Sequence, residues 1–219
     1  MKKRVALSWS GGKDSCMALD RLVKDGHEVA CLLTTLPADI GRTFGHGERA
    51  ERIGEQADAL GLPVEWIACT FAGYTEDYVR TLKELKAKYQ LEAVAFGDLF
   101  LEEHREWGTG AASAAGLEAL YPLWMEPSGT RDALLTFVES GYRAVVIRVR
   151  DGALTEDWLG REVDRSFYED IAMENVCPMG EGGEYHTFVY DGPLFRRPVP
   201  FRKGEVLQLE TTKRLEHHG

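Results

Sequence analysis

Residues 4–15 read R-V-A-L-S-W-S-G-G-K-D-S, and this stretch decides the fold. Its first six residues form a short, mainly apolar run that leads into the glycine pair Gly11-Gly12. Apolar residues at near-helical spacing follow, from position 16 to position 23. An apolar run, a glycine turn and a helical pattern predict a strand, a tight turn and a helix in that order.

The same alternation continues along the chain to about residue 123. Apolar runs predict strands at 4–9, 29–36, 64–68, 93–96 and 120–123, and amphipathic stretches predict helices after residue 12 and at 46–60, 74–89 and 101–115. Strands that alternate with helices predict a parallel sheet covered on both faces. The expected fold class is therefore α/β, with a Rossmann-like sheet.

Four turn-forming residues predict a domain boundary: Pro122, Pro127, Ser128 and Gly129. Beyond it, the patterns predict a helix at 130–140, a strand at 143–149, a Gly-rich loop at 180–183 and short strands near 188, 201 and 207. We expect a sheet domain at 1–125 and a smaller, substrate-binding α+β domain at 126–214. The polar end at 215–219 is interpreted as a tag remnant.

The composition indicates a globular protein and disfavours several partners. The 219 residues carry 26 basic and 36 acidic side chains, which gives a formal net charge of −10. Binding DNA or RNA through a basic face needs many Lys and Arg contacts to phosphate, so nucleic acid is disfavoured. No apolar run approaches the roughly 18 residues needed to cross a bilayer, and no signal-peptide core follows the N-terminus. We therefore expect a cytoplasmic protein without a membrane partner.

The segment 10–15 has the groups that bind phosphate at the start of a helix. Glycines let backbone N–H groups approach an anion, and the helix N-terminus adds a partial positive charge. Asp14 has no favourable reason to face phosphate except through a divalent cation, so it is the predicted metal ligand. The predicted donors are Ser10, Gly11, Gly12, Lys13 and Ser15.

This segment matches in full the S-G-G-x-D-S fingerprint of the PP-loop family of ATP pyrophosphatases, which the sequence resembles. That family cleaves ATP between the α and β phosphates. The resemblance implies ATP and Mg²⁺ as cofactors, with AMP and pyrophosphate released. Ligands of open α/β sheets bind at the carboxyl ends of strands, and the further nucleotide-binding candidates are Ser8, His46, Gly97 and Asp98.

A second stretch, residues 177–195, reads C-P-M-G-E-G-G-E-Y-H-T-F-V-Y-D-G-P-L-F. It is similar to the C-G-E-N-G-E-F/Y-H-T-F-V-x-D-G-P-x-F signature of the diphthine-ammonia ligase branch of the same family. The departures are the inserted pair Pro178-Met179 and Gly182 in place of asparagine. Further similar pieces lie at 46–47, 97–107 and 159–164.

The Gly-rich loop of this stretch contributes candidate catalytic groups. Glu181, Glu184 and His186 are acid/base side chains on a backbone that can fold tightly against a ligand. Such a loop can hold an acceptor carboxylate or ammonia near the α-phosphate. Together with Lys13 and Asp14, these residues form the predicted catalytic set. A solvated hairpin turn is the alternative interpretation of the same loop.

The leading hypothesis is an ATP-dependent amide ligase, in which a carboxylate is activated as an acyl-adenylate and ammonia displaces AMP. For the acceptor, the resemblance implies diphthine on a translation elongation factor, and another carboxylate remains open. A homodimer is also left open. Two other hypotheses are a tRNA-modifying PP-loop enzyme, which the net charge and the lack of paired cysteines disfavour, and an ATP-binding sensor without turnover.

Overall fold

A computed structural model describes residues 1–37 and 40–219. Its first half alternates strands with helices, as the sequence predicts. The elements are β1 (Arg4–Ser8), α1 (Lys13–Lys24), β2 (Glu28–Pro37), α2 (Ala50–Leu60), β3 (Val64–Cys69), α3 (Tyr74–Tyr89), β4 (Ala93–Ala95), α4 (Glu102–Ala114) and β5 (Glu118–Leu120). The strands form one sheet in the order β3-β2-β1-β4-β5, and every neighbouring pair is parallel. The predicted α/β class is confirmed.

Side chains of β1 alternate between the two faces of this sheet. Val5 and Leu7 lie in one hydrophobic cluster with residues of α1 and α2, whereas Ala6 lies in a second cluster with residues of α3 and α4. This alternation is the period of two that a strand imposes. Because β1 lies between β2 and β4, the strand order reverses beside it, and the carboxyl end of β1 is where such sheets bind ligands.

The second half of the chain forms an antiparallel sheet. Its elements are α5 (Thr130–Glu139), β6 (Arg143–Arg150), α6 (Arg165–Ile171), β7 (Tyr185–Asp191), β8 (Arg202–Gln208) and β9 (Thr212–His218), with the strand order β7-β6-β9-β8. Ala144, Val146 and Phe188 belong to the same hydrophobic cluster as Val5 and Leu7. The two sheets therefore share a core, and the boundary predicted at residue 125 separates sheets without separating cores.

Strand β7 is hydrogen-bonded to the glycine turn that follows β1. The amide of Val189 donates to the Gly11 carbonyl at 2.9 Å, and the amide of Lys13 donates to Thr187 Oγ1 at 3.0 Å. Gln56 on α2 is fully buried and bridges the two, since its Nε2 donates to the carbonyls of Gly11 and Val189. We call this set of contacts the seam.

The segment interpreted as a tag remnant, 215–219, belongs mostly to the second sheet. Residues 215–218 lie in β9, which pairs with both β6 and β8. His217 is 2% exposed, and its Nε2 lies 2.6 Å from Glu48 Oε2 on the other half of the molecule. These residues thus form a paired strand, and the buried imidazole of His217 has a carboxylate partner far away in the sequence.

Helix α2 begins at Ala50 instead of the predicted 46. Residues 43–48 form a turn in which the Thr43 amide donates to the Glu48 carbonyl at 2.8 Å. Gly45 and Gly47 in this turn have positive φ angles, which a helix does not contain. In the described part of the chain, no helix is long and apolar enough to cross a membrane.

Replacing Gln56 with alanine is expected to destabilise the protein by about 2 to 4 kcal/mol, because buried polar groups of the seam lose their partners. Trp9 Nε1, which donates to Gln56 Oε1 at 3.0 Å, is one of them. Urea unfolding followed by far-UV circular dichroism measures the change. The exposed Gln208→Ala variant is the control, with an expected change of about 0.5 kcal/mol or less. Equal effects of the two substitutions would contradict the role given to the seam.

Candidate active site

A cavity of about 430 Å³ opens at the carboxyl end of the parallel sheet. It collects the end of β1, the start of α1, the segment after β4, the turn before α2 and the Gly-rich loop before β7. The predicted residues that line it are Ser8, Ser10, Asp14, Ser15, His46, Gly97, Asp98, Glu181 and His186. The structure thus brings together residues from both halves of the sequence.

The predicted residues Gly11 and Gly12 pack into the seam and do not line the cavity. Gly11 has φ +82°, and a Cβ there would lie 2.7 Å from Gln56 Oε1. A Cβ on Gly12 would lie 2.5 Å from His46 Cε1. Only glycine fits this close approach, so the pair shapes the turn by letting it contact the second sheet.

The predicted site residue Lys13 is buried next to the Gly-rich loop. Its side chain is 1% exposed, and its Nζ lies 3.1 Å from Asp14 Oδ2 and 2.5 Å from the carbonyl of Met179. The same ammonium lies 4.7 Å from the centre of the Tyr185 ring. The positive charge of Lys13 is therefore balanced within the protein by Asp14. Met179, of the inserted Pro178-Met179 pair, supplies a carbonyl that accepts a hydrogen bond from the same ammonium.

Two carboxyl groups of the cavity have raised pKa values. Burial raises the pKa of Asp14, and Lys13 opposes this shift. Burial also raises the pKa of Glu181 to about 7, with further increases from the charges of Asp14 and Asp98. The amide of Leu99 donates to Glu181 Oε1 at 2.8 Å and partly stabilises its ionised form. Glu181 therefore changes its charge near neutral pH.

His46 and His186 form a pair beside these acids, with ring centroids 4.4 Å apart. Burial lowers the pKa of His46 to about 4 and lowers that of His186 well below its usual value. Lys13 further lowers the pKa of His46, and His46, Arg148 and Lys13 further lower that of His186. Both imidazoles are neutral at pH 7, so they offer hydrogen bonds and no cationic charge.

Glu184 supports the Gly-rich loop from outside the cavity. Its Oε1 accepts a hydrogen bond from the Cys177 amide at 3.4 Å. Arg150 Nη1 donates to the Gly182 carbonyl at 3.1 Å and holds the other side of the loop. The predicted catalytic set is therefore divided between residues that line the cavity and residues that position the loop.

Asp14 fits the predicted role of a cation ligand. Its Oδ1 is buried and has no hydrogen-bond partner among residues 1–37 and 40–219, and burial disfavours its negative charge. Within the same ranges no three His, Cys, Asp or Glu side chains come together as a metal site. Mg²⁺ is commonly held by one or two carboxylates together with substrate phosphates and waters. One buried carboxylate beside a nucleotide site meets that requirement.

A second cavity of about 310 Å³ shares Ser8 and Ser10 with the first. The sequence analysis missed it, although the position of Thr34 and Thr35 near the carboxyl end of β2, beside β1, was the available signal. The Phe44 and Tyr74 rings meet edge to face with centroids 5.1 Å apart. The remaining lining residues are Trp9, Leu33, Thr34, Thr35, Thr43, Phe44, Gly45 and Tyr74.

His104 is another lining residue of the first cavity that received no role from the sequence. It lies in the first turn of α4, and its Nδ1 is 2.9 Å from Asp98 Oδ1. The predicted site residue Asp98 thus lines the cavity and is paired with the imidazole of His104. Its place within 97–107, a segment singled out by its similarity to the family, was the available signal.

The central S-G-G-K-D-S turn of a parallel sheet and the cavities at its carboxyl edge define a PP-loop ATP pyrophosphatase. Residues 2–118 match the diphthamide synthase N-terminal domain, and residues 129–213 match the diphthamide synthase C-terminal domain. The chain therefore belongs to the diphthamide synthase family.

Curated relatives cover nearly the whole chain. The diphthine–ammonia ligases of Bos taurus and Rattus norvegicus are each 30% identical to it over 93% of this chain and 85% of theirs. That of Schizosaccharomyces pombe is 30% identical over 91% of this chain and 36% of its own length. A solved structure of the U34-tRNA thiolase NcsA from Methanococcus maripaludis aligns with 63% of this chain and 57% of its own, at a TM-score of 0.38 and 12% identity.

The raised pKa of Glu181 predicts a pH-dependent difference between the wild type and Glu181→Gln. Between pH 4.5 and about 7, the folded protein keeps a proton on Glu181 that the unfolded chain has released. The free energy of unfolding therefore falls as the pH rises through this window. Glutamine removes the effect. We expect Glu181→Gln to be relatively more stable at pH 8 than at pH 5, by on the order of 1 to 2 kcal/mol.

Urea unfolding at several pH values measures this difference. Glu205→Gln, at an exposed position of β8, is the matched control and is expected to follow the wild type at every pH. A wild-type and Glu181→Gln pair whose difference does not change with pH would show that Glu181 ionises as it does in the unfolded chain.

Proposed function

We propose that this protein is an ATP-dependent ligase that activates the carboxylate of diphthine as an acyl-adenylate and amidates it with ammonia. The observation that carries the proposal is a pair of cavities at the carboxyl edge of the sheet that share Ser8 and Ser10. The first is bordered by the fingerprint turn and by the Gly-rich loop of the 177–195 signature, and the second by the ends of β1 and β2. Relatives named diphthine–ammonia ligase support the choice of acceptor and of ammonia.

The second cavity suits the adenosine part of ATP. Phe44 and Tyr74 give it aromatic walls, while Thr34 and Thr35 give it polar groups for the base and the ribose. Ser8 and Ser10, shared by both cavities, mark where the phosphates would pass from one to the other. The start of α1 at this point favours an anion through its backbone dipoles.

Asp14 is the residue that would hold Mg²⁺ beside these phosphates. The ion, when bound, neutralises charge on the leaving pyrophosphate. Lys13 keeps Asp14 in place through the 3.1 Å contact of its Nζ with Asp14 Oδ2. The protein's part in this step is thus positioning and charge balance, since the fixed groups need no rearrangement as negative charge develops.

The first cavity is the proposed place for the acceptor carboxylate and ammonia. Neutral His46 and His186 offer hydrogen bonds there without drawing in further anions. Glu181, with its pKa of about 7, is protonated in part of the molecules at neutral pH and can then donate to an acceptor oxygen. The half-buried Gly-rich loop keeps the acyl-adenylate away from much of the solvent, which limits its hydrolysis.

The division into an ATP-binding domain at 1–125 and a substrate-binding domain at 126–214 is part of the same proposal. It is supported by the position of the fingerprint turn in the first part and of the Gly-rich loop in the second. A cytoplasmic location and a homodimer stay predictions.

Amidation is tested with the purified protein, ATP, Mg²⁺, ammonium and an elongation factor that carries diphthine. Mass spectrometry of the diphthine-bearing peptide is expected to show conversion of its carboxylate to an amide, with one AMP released per amide. Reactions without ammonium or without ATP are the controls. AMP formation that depends on tRNA and not on the diphthine acceptor would favour a tRNA-modifying enzyme, and ATP binding without AMP formation would favour a sensor.

Asp14→Asn is expected to lower AMP and pyrophosphate formation by at least about 100-fold, because the amide cannot hold a cation beside the phosphates. The measurement is the steady-state rate of AMP release under the amidation conditions. Asp58→Asn, at an exposed position of α2, is the control and is expected to keep the wild-type rate. A nearly unchanged rate in Asp14→Asn would remove Asp14 from the site.

A further inference from the structure

His104 combines contact with the first cavity, an anionic partner and access to water. Its side chain is 58% exposed, and its Nδ1 lies 2.9 Å from Asp98 Oδ1. In the tautomer that pairs with a carboxylate, Nδ1 donates to Asp98 and Nε2 carries the free lone pair. Asp98 thereby fixes the ring in the form in which its other nitrogen can accept a proton.

Ammonia needs such a group before it can act as a nucleophile. At neutral pH it is mostly ammonium, which has no lone pair for attack. The carboxyl groups of Asp14, Asp98 and Glu181 around the cavity favour entry of this cation. His46 and His186 are poor acceptors of its proton, because burial disfavours their cationic forms. His104 is a histidine of this cavity that can accept a proton and pass it on to solvent.

We propose, on the basis of the function proposed above, that His104, oriented by Asp98, is the catalytic base that deprotonates ammonium at the acyl-adenylate. Nε2 takes one proton from ammonium, and the lone pair of the resulting ammonia forms a bond to the acyl carbon. The bond from that carbon to the AMP oxygen breaks, and its electron pair leaves with AMP. The nitrogen loses its second proton to water, and His104 returns its proton to solvent.

Several charged groups lie around His104. Asp98 pairs with it directly, and further carboxyl groups line the same cavity. The titratable and charged groups on the elements that border His104 are Asp14, His46, Asp98, Glu102, Glu103, Arg105, Glu181 and His186.

His104→Asn tests the proposal, because the asparagine amide can replace Nδ1 as donor to Asp98 but has no nitrogen that titrates. At pH 7 the amidation rate with ammonium is expected to fall about 100-fold. Acceptor-dependent exchange of pyrophosphate into ATP, which reports adenylation alone, is expected to stay within about threefold of the wild type. Hydroxylamine is largely unprotonated at this pH and needs no base, so its reaction is also expected to stay within about threefold.

The pH profile provides a further readout that a structural role would not move. The deficit of His104→Asn with ammonium is expected to shrink as the pH rises, because free ammonia then becomes available without a base. Glu106→Gln, an exposed change on the same helix, is the matched control and is expected to behave as the wild type.

Three outcomes would overturn the assignment. Equal losses with ammonium and hydroxylamine would leave His104 a positioning residue, and unchanged amidation with ammonium would remove it from the reaction. A wild-type protein that amidates nothing with ammonium would contradict the proposed ligase function itself, and that result is visible before any variant is made.

Discussion

The seam between the glycine turn and β7 is the constraint on which the rest of the structure depends. The Val189 amide donates to Gly11 at 2.9 Å, and the Lys13 amide donates to Thr187 at 3.0 Å. Gln56 is buried between them and satisfies carbonyls on both sides. These groups would otherwise be unpaired polar atoms in the core, so the two sheets can only pack in the arrangement that pairs them. That arrangement brings the fingerprint turn and the Gly-rich loop to one cavity.

The electrostatics of the cavity follow from the same packing. The ammonium of Lys13 is buried against Asp14 and the Met179 carbonyl, so its charge balances the protein's own carboxylate. His46 and His186 are neutral at pH 7 because they are buried. In a chain with a net charge of −10, these side chains add no net positive charge to the cavity. The start of α1, whose backbone dipoles favour an anion, opens onto the same cavity.

Local patterns were sufficient to predict most of the fold. Helix α3 matches its predicted bounds of 74–89, and the strands of the parallel sheet lie within a few residues of prediction, because alternation and helical spacing depend only on neighbours in sequence. Long-range contacts were not predictable in this way. The burial of Lys13 by Met179 and the pairing of His217 with Glu48 join residues more than 160 positions apart. For the second cavity, the place of Thr34 and Thr35 at the end of β2 was predictable, whereas the approach of Phe44 to Tyr74 was not.

The fixed spacing of the 185–189 part of the signature has a physical explanation in β7. Residues two apart on a strand share a face, and Tyr185 and Thr187 both contact Lys13, one through its ring and the other through its hydroxyl. His186, between them, instead pairs with His46 at 4.4 Å. A shift of one residue would exchange these faces, placing a histidine in the seam and a threonine beside His46. The register of a single strand therefore sets both the packing of the fingerprint turn and the chemistry of the cavity.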